Sequence, residues 1–156
     1  NLSLGSLHLN HYRSQLGLSL SDETPFEGSI RENLIFGKEK VKDSKIFEIL
    51  DVVGLSYFLK EQTNGLDTIL NAEGKQMSYT IAKKIILARA IIKEPKIMIL
   101  EDPLDQFNVD ETQSIVKYLT DSKRSWALIV VSSKEVWRTE CSQTITIDKG
   151  EIKSIK

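Results

Sequence analysis

Two short runs of apolar residues stand out along this chain, at residues 97–100 and 126–131. Continuous apolar runs of this length are typical of strands that are covered on both faces of a parallel sheet. Each run ends in polar residues, and a segment with helical spacing lies between the two. We therefore predict that they are neighbouring parallel strands of one sheet. Residues 16–20 are predicted to form a further short strand.

Helical spacing dominates the segment between residues 29 and 59. Ser29 is a predicted N-cap, with Glu32 three residues later completing a capping box and Gly37 ending the helix. From residue 43 onwards, apolar residues recur at helical intervals up to Gly54, and a second short turn follows. Residues 31–59 are expected to form a small helical lobe that stands off the sheet and contains no strand.

Two longer helices are predicted in the second half of the chain. Ser78 is a plausible cap for a helix over residues 80–92, in which Lys83 and Lys84 are expected to face solvent. A second amphipathic helix covers residues 109–120, and its acidic first turn suits the helix dipole.

The chain closes with two short apolar segments, residues 143–147 and 151–155, joined across Asp148, Lys149 and Gly150. This pattern predicts a β-hairpin. The order is then strand, helical insert, helix, strand, helix, strand and hairpin. Such alternation predicts an α/β fold with a parallel sheet and right-handed crossovers.

Composition narrows the possible partners and setting. The chain has 156 residues, a net charge of −1 and 28% charged residues, which favours one domain and gives no electrostatic reason to expect nucleic acid or a membrane surface as a partner. No apolar stretch is long enough to span a bilayer and no signal peptide is evident, so the chain is expected to be soluble. The single cysteine, Cys141, cannot form an internal disulfide, which favours a cytosolic setting.

Two adjacent acids, Glu101 and Asp102, follow the first predicted core strand, and Pro103 then stops it. In an open parallel sheet, ligands bind beyond the carboxyl ends of the strands. One acid is therefore a candidate Mg²⁺ ligand and the other a candidate base for water. The competing interpretation is that both are solvated acids in an ordinary strand-to-helix turn.

Five segments occur in a distinctive order along the chain: RSQLGLSL, FEGSIRENLIFG, GLDT, LARAIIKEPKIMILEDPLD and DKGEI. Together they resemble the ATP-binding cassette of ABC transporters, especially of exporters. The most specific is LARAIIKEPKIMILEDPLD, which is similar to the helix after the family signature followed by the Walker B strand. The resemblance covers nearly the whole chain. It implies a P-loop NTPase-like cassette fragment over residues 1–156, with a helical subdomain at about 26–80 and a parallel sheet core carrying Walker B at about 81–156.

The resemblance also assigns roles to individual residues. Glu101 stands at the position of the metal-side aspartate, and Asp102 at that of the catalytic glutamate. Ser21 stands where the family has the Q-loop glutamine, and Ser133 where it has the switch histidine. Ser78 is the one unchanged residue of the signature. The resemblance implies that it contacts the γ-phosphate of ATP held by the opposite protomer.

Departures from the family pattern are numerous. No G-x-x-x-x-G-K-[ST] loop occurs in these residues, so we expect a fragment that begins after that loop and is inactive alone. Tyr79 and Thr80 add bulk where the signature has two glycines. Asp102 is one methylene shorter than glutamate, and Asn108 replaces the usual D-loop aspartate.

The resemblance implies that the full-length parent couples ATP binding and hydrolysis to transmembrane export. Its cofactors are then ATP and Mg²⁺, its partners are membrane-spanning domains and a second cassette, and its location is the cytoplasmic face of the cell membrane. One alternative is a degenerate cassette that binds nucleotide and dimerises while a partner hydrolyses. A receiver-like signalling module is disfavoured because no separate acidic pair and later lysine are evident. A DNA-repair ATPase is disfavoured because coiled-coil heptads are missing from the sequence.

Overall fold

The computed structural model describes residues 8–36, 38, 40–72 and 77–156. Its strands are β1 (Leu16–Ser19), β2 (Gly28–Ser29), β3 (Ile69–Leu70), β4 (Ile97–Glu101), β5 (Ala127–Val131), β6 (Ile145–Asp148) and β7 (Glu151–Ile155). Its helices are α1 (Leu9–Ser14), α2 (Ile30–Ile35), α3 (Asp43–Val52), α4 (Ser56–Lys60), α5 (Tyr79–Ile92), α6 (Val109–Thr120) and α7 (Val136–Glu140). A 3-10 turn at Gly65–Asp67 precedes β3.

The central sheet is parallel, with the strand order β1-β4-β5. Ile97 of β4 lies opposite Leu16 on one side and opposite Ala127 on the other. Gly17 permits the close approach of β1 to α5 and to the turn after it, because a Cβ there would lie 3.0 Å from the carbonyl oxygen of Ala90 and 2.7 Å from Cγ of Pro95. The predicted pairing of the two apolar runs is confirmed, and the third predicted strand joins the same sheet.

The predicted helices are also present. Ser29 and Glu32 form the capping box of α2, and the predicted stop at Gly37 lies outside the described residues. Asn108 caps α6 by accepting from the backbone N–H of Glu111. The described part of residues 31–59 contains α2, α3 and α4 and no strand, as predicted for the helical lobe.

Four elements were not predicted from the sequence. These are α1, α7 and the two-residue strands β2 and β3, which pair antiparallel. The closing hairpin is confirmed as the antiparallel pair β6 and β7. Among the described residues, no helix combines the length and apolar character needed to cross a membrane.

The core lies between the sheet and the helices, with α5 at its centre. Its residues Ile85 to Ala88 are all fully buried, as are Met98 and Leu100 of β4. The sequence-based expectation that Lys83 and Lys84 face solvent is wrong, since they are only 5% and 6% exposed. Both lysines are buried because carbonyl and carboxylate oxygens from distant parts of the chain accept hydrogen bonds from their ammonium groups.

The second apolar run is not covered on both faces, which corrects the prediction for residues 126–131. In β5, Leu128 and Val130 pack against the core, whereas Ile129 and Val131 are 52% and 60% exposed. The physical reason is the position of β5 at the edge of the sheet, with one face turned away from the buried core.

A fully buried asparagine organises the start of α2. The side chain of Asn33 accepts from the N–H of Phe26 at 3.0 Å and donates to the carbonyls of Phe26 and Ser29. Arg89 of α5 donates to the Asn33 side-chain and backbone oxygens and lies over the rings of Phe26 and Phe36. We call Phe26, Ser29, Asn33, Phe36 and Arg89 the Asn33 cluster.

Candidate functional site

The carboxyl ends of the three parallel strands bring four of the five predicted site residues to one edge. Ser21 follows β1, Glu101 ends β4 with Asp102 next, and Ser133 follows β5. The register aligns these ends, because Ser19 lies opposite Leu100 and Glu101 opposite Val131. We refer to Ser21, Glu101, Asp102 and Ser133 as the carboxyl edge.

Ser21 and Glu101 contact each other directly across the carboxyl edge. The backbone N–H of Ser21 donates to Oε2 of Glu101 at 3.2 Å, and the Ser21 hydroxyl donates to the same oxygen at 2.9 Å. These bonds, first from the amide and then from the hydroxyl, lower the pKa of Glu101 below its ordinary value. The charge of Lys83 acts in the same direction. Glu101 is therefore held as a carboxylate at neutral pH.

Asp102 has an unusual backbone conformation, with φ at +40°. Its N–H donates to the carbonyl of Val131 at 2.9 Å, and Pro103 and Leu104 are buried immediately after it. The side chain itself is exposed. Positive φ is strained for a residue with a Cβ, although aspartate tolerates it better than most. The chain thus presents an exposed carboxylate on a fixed and strained backbone.

The other two predicted residues are less closely held. Ser133 is exposed and lies two residues beyond the end of β5. Ser78 is exposed at the start of α5, where its Oγ accepts from the N–H of Ile81 at 3.3 Å. This confirms the predicted cap, and it leaves Ser78 separate from the hydrogen-bonded pair Ser21 and Glu101.

Lys83 also contributes to the site, although the sequence pattern predicted that it faces solvent. Its Nζ donates to the carbonyls of Leu20, Ser21 and Glu23 at 3.2, 2.6 and 3.1 Å. These partners are about sixty residues away in the chain, so local sequence gives no signal of the contact. Lys83 therefore connects α5 to the loop that carries Ser21.

The donor set at the carboxyl edge fits a hard divalent cation. No group of three or more His, Cys, Asp or Glu side chains suited to a metal is found in the described part of the chain. Mg²⁺ does not require such a group, since it is commonly bound by one or two carboxylates together with waters and substrate phosphates. Glu101, with the Ser21 hydroxyl beside it and Asp102 next in the chain, supplies that kind of partial site.

Sequence comparison identifies the relatives of this chain. No family profile matches it. It is 32% identical over 127 residues to the ATP-dependent permease MDL1 of Candida albicans and 27% identical over 146 residues to P-glycoprotein 14 of Caenorhabditis elegans. It is also 27% identical over 151 residues to a multidrug resistance ABC transporter ATP-binding and permease protein of Lactococcus lactis. These alignments cover 81%, 94% and 96% of the chain. The chain is related to the ABC transporters.

This ABC-transporter relative spans only part of the proteins that it matches. It covers 18%, 11% and 25% of the lengths of the three relatives. Its fold is also that of an ABC protein, because it superimposes on a bacterial Atm1-family ABC exporter, solved with ATP bound, with a TM-score of 0.81. That match has 17% sequence identity and covers 92% of this chain and 25% of the exporter chain. The predicted family resemblance and the α/β fold class are confirmed.

Proposed function

We propose that this chain is part of the ATP-binding cassette of an ABC exporter, whose full-length protein couples ATP binding and hydrolysis to transmembrane export. The observation that carries the proposal is the carboxyl edge, where Ser21 bonds Glu101 and Asp102 follows directly, in a chain related to ABC transporters. In this proposal residues 26–80 act as the helical subdomain, and residues 81–156 act as the core with Walker B.

Each predicted residue has a role in the proposed cassette. Glu101 holds Mg²⁺, which when bound would neutralise charge on the phosphate oxygens of ATP. Asp102 accepts a proton from the attacking water. Ser21 holds the Glu101 carboxylate in place through its amide and hydroxyl. Ser78 contacts nucleotide held by a second cassette, and Ser133 lines the far end of the carboxyl edge. The membrane-spanning domains and the second cassette are the proposed partners, at the cytoplasmic face of the cell membrane.

Replacing Asp102 tests this proposal in the intact protein. Asp102→Asn removes the proposed base while keeping its size, so ATP turnover should fall by about 10²-fold or more with little change in nucleotide affinity. Asp105→Asn is the matched control, because it changes another exposed acid three residues away. Turnover by Asp102→Asn within about twofold of the control would contradict the assignment of Asp102.

A degenerate cassette that binds nucleotide without hydrolysing it is the second candidate. Tyr79 favours it, since this side chain is 46% exposed at the first residue of α5, where the family signature has glycine. The same experiment separates the two candidates. The degenerate cassette predicts that the unaltered protein binds ATP but turns it over no faster than Asp102→Asn.

A further inference from the structure

Lys83 occupies a position that is unusual for a charged side chain. It is 5% exposed, and its ammonium group contacts the carbonyls of Leu20, Ser21 and Glu23. A lysine ammonium has three N–H donors, so each donor can be matched to one of these carbonyls. The loop of residues 20–23 therefore wraps around the ammonium group as it would around a bound monovalent cation.

The loop around Lys83 is also closed by its own hydrogen bonds. The N–H of Leu20 donates to Oε2 of Glu23, and the N–H of Glu23 donates to the carbonyl of Leu20. The N–H of Ser21, between these two, donates to Glu101. In this loop conformation the three carbonyls point towards Lys83, and the Ser21 amide and hydroxyl point towards Glu101.

The electrostatic surroundings match this arrangement. Burial lowers the pKa of Lys83, while the charges of Glu23, Asp22 and Glu101 act in the opposite direction. The Tyr79 ring lies 5.4 Å from the same ammonium group. A neutral side chain at position 83 would remove the ammonium donors from these partly buried carbonyls and leave the neighbouring acids without a nearby positive charge.

We propose that Lys83 is a positioning residue whose ammonium group serves as a built-in cation, holding the loop of residues 20–23 so that Ser21 stays on Glu101 whether or not Mg²⁺ or nucleotide is bound. The importance of this position for transport rests on the proposed function, but the hydrogen bonds themselves do not. The contact between Ser21 and Glu101 is then already formed before a ligand binds at the carboxyl edge.

Lys84 provides the matched control on the same helix. It is 6% exposed, and its ammonium group bonds to Glu111 and to the carbonyl of Gly54, away from the loop. Removing either charge leaves partly buried polar partners without an ammonium donor, so both variants should lose stability. Of the two lysines, only Lys83 should keep the loop of residues 20–23 in its ordered conformation.

Hydrogen exchange of the intact protein, without nucleotide, tests the proposal. The amides of Leu20, Ser21 and Glu23 report on the loop because all three are hydrogen-bonded. Lys83→Gln should accelerate their exchange by about tenfold or more. Lys83→Arg, which retains charge and donors, should stay within about threefold of the unaltered protein, and Lys84→Met should leave these amides unchanged.

Added MgCl₂ separates a cation-like role from a merely structural one. In the unaltered protein it should change loop exchange by less than about twofold, whereas in Lys83→Gln it should slow the exchange, because the loop then depends on an external cation.

Equal protection in Lys83→Gln and Lys83→Arg would overturn the proposal, and so would a strong Mg²⁺ response of the unaltered loop. If Lys83→Gln fails to fold, the effect of MgCl₂ on hydrogen exchange of residues 20–23 in the unaltered protein still tests the proposal. None of these readouts uses ATP, so a failure of the proposed ATPase function would leave their result intact.

Discussion

The Asn33 cluster and the carboxyl edge use polar side chains in opposite ways. Asn33 is completely buried, and its amide group has partners on Phe26, Ser29 and Arg89. At the carboxyl edge, Asp102 and Ser133 are exposed, and the Asp102 backbone is strained. The contrast indicates that the cluster contributes to stability, whereas the edge leaves polar atoms available to a ligand at some cost in stability.

The largest effect on stability is expected at Asn33. Asn33→Leu fills a similar volume but removes the acceptor of the Phe26 amide, one donor to each of two carbonyls, and one of the two bonds that Arg89 makes to residue 33. Unfolding free energy should fall by about 3 to 4 kcal/mol, since each stranded buried group costs about 1 to 3 kcal/mol. Urea unfolding measures this loss. Asn33→Asp keeps the acceptor for Phe26 and Arg89 and should cost clearly less; equal losses would show that the hydrogen bonds do not determine the effect.

A smaller effect is expected at the capping box of α2. The Ser29 hydroxyl accepts from the N–H of Glu32 and donates to its carboxylate. Ser29→Ala should cost about 1 kcal/mol near neutral pH. Ser29→Thr, which retains a capping hydroxyl, is the control and should lose less.

The cost of Ser29→Ala should also depend on pH. The pKa of Glu32 is lowered in the folded protein, first by the Ser29 amide and then by the Ser29 hydroxyl. Stability from a lowered carboxyl pKa is present above the unfolded pKa of about 4.3 and is lost as pH falls through the folded pKa. The difference between Ser29→Ala and the unaltered protein should therefore shrink from pH 5 to pH 3. A difference that grows towards acid pH would contradict this account.

The smallest expected change has the opposite sign and lies at the carboxyl edge. Asp102→Gly relieves the positive φ of a residue with a Cβ, although glycine also gives the unfolded chain more freedom. Unfolding free energy should rise by about 0.5 kcal/mol, while ATP turnover by the intact protein is lost with the carboxylate. A stability loss above about 1 kcal/mol, with Asp105→Gly as the reference, would show that the Asp102 side chain supports the fold.

Much of the fold could be predicted because the signals are local. Ser29 with Glu32 specifies the start of α2, Ser78 caps α5, and the turn at Lys149 and Gly150 gives the closing hairpin. The parallel sheet followed from two apolar runs separated by a helix. Glu101 and Asp102 could be predicted at the carboxyl end of a strand, whereas Ser21 and Ser133 were indicated only by the family resemblance.

The missed features depend on contacts between distant parts of the chain. Lys83 and Lys84 occupy adjacent polar positions on a helix, which normally indicates a solvated face. Their burial depends on the loop of residues 20–23 and on Glu111, and neither is near them in sequence. The same reason applies to β2 and β3, because two-residue strands have no period to detect.

The placement of the two tryptophans has a consequence for optical measurements. Trp126 immediately precedes β5, with its indole N–H bonded to the carbonyl of Leu119, and Trp137 lies in α7 with 5% exposure. Both indoles therefore flank the strand that ends at the carboxyl edge, whereas residues 8–72 contain no tryptophan. Intrinsic fluorescence should follow the surroundings of β5, and far-ultraviolet circular dichroism should follow the helices of the whole chain. Non-coincident unfolding curves from the two signals would show that the surroundings of β5 and the helices lose structure at different denaturant concentrations.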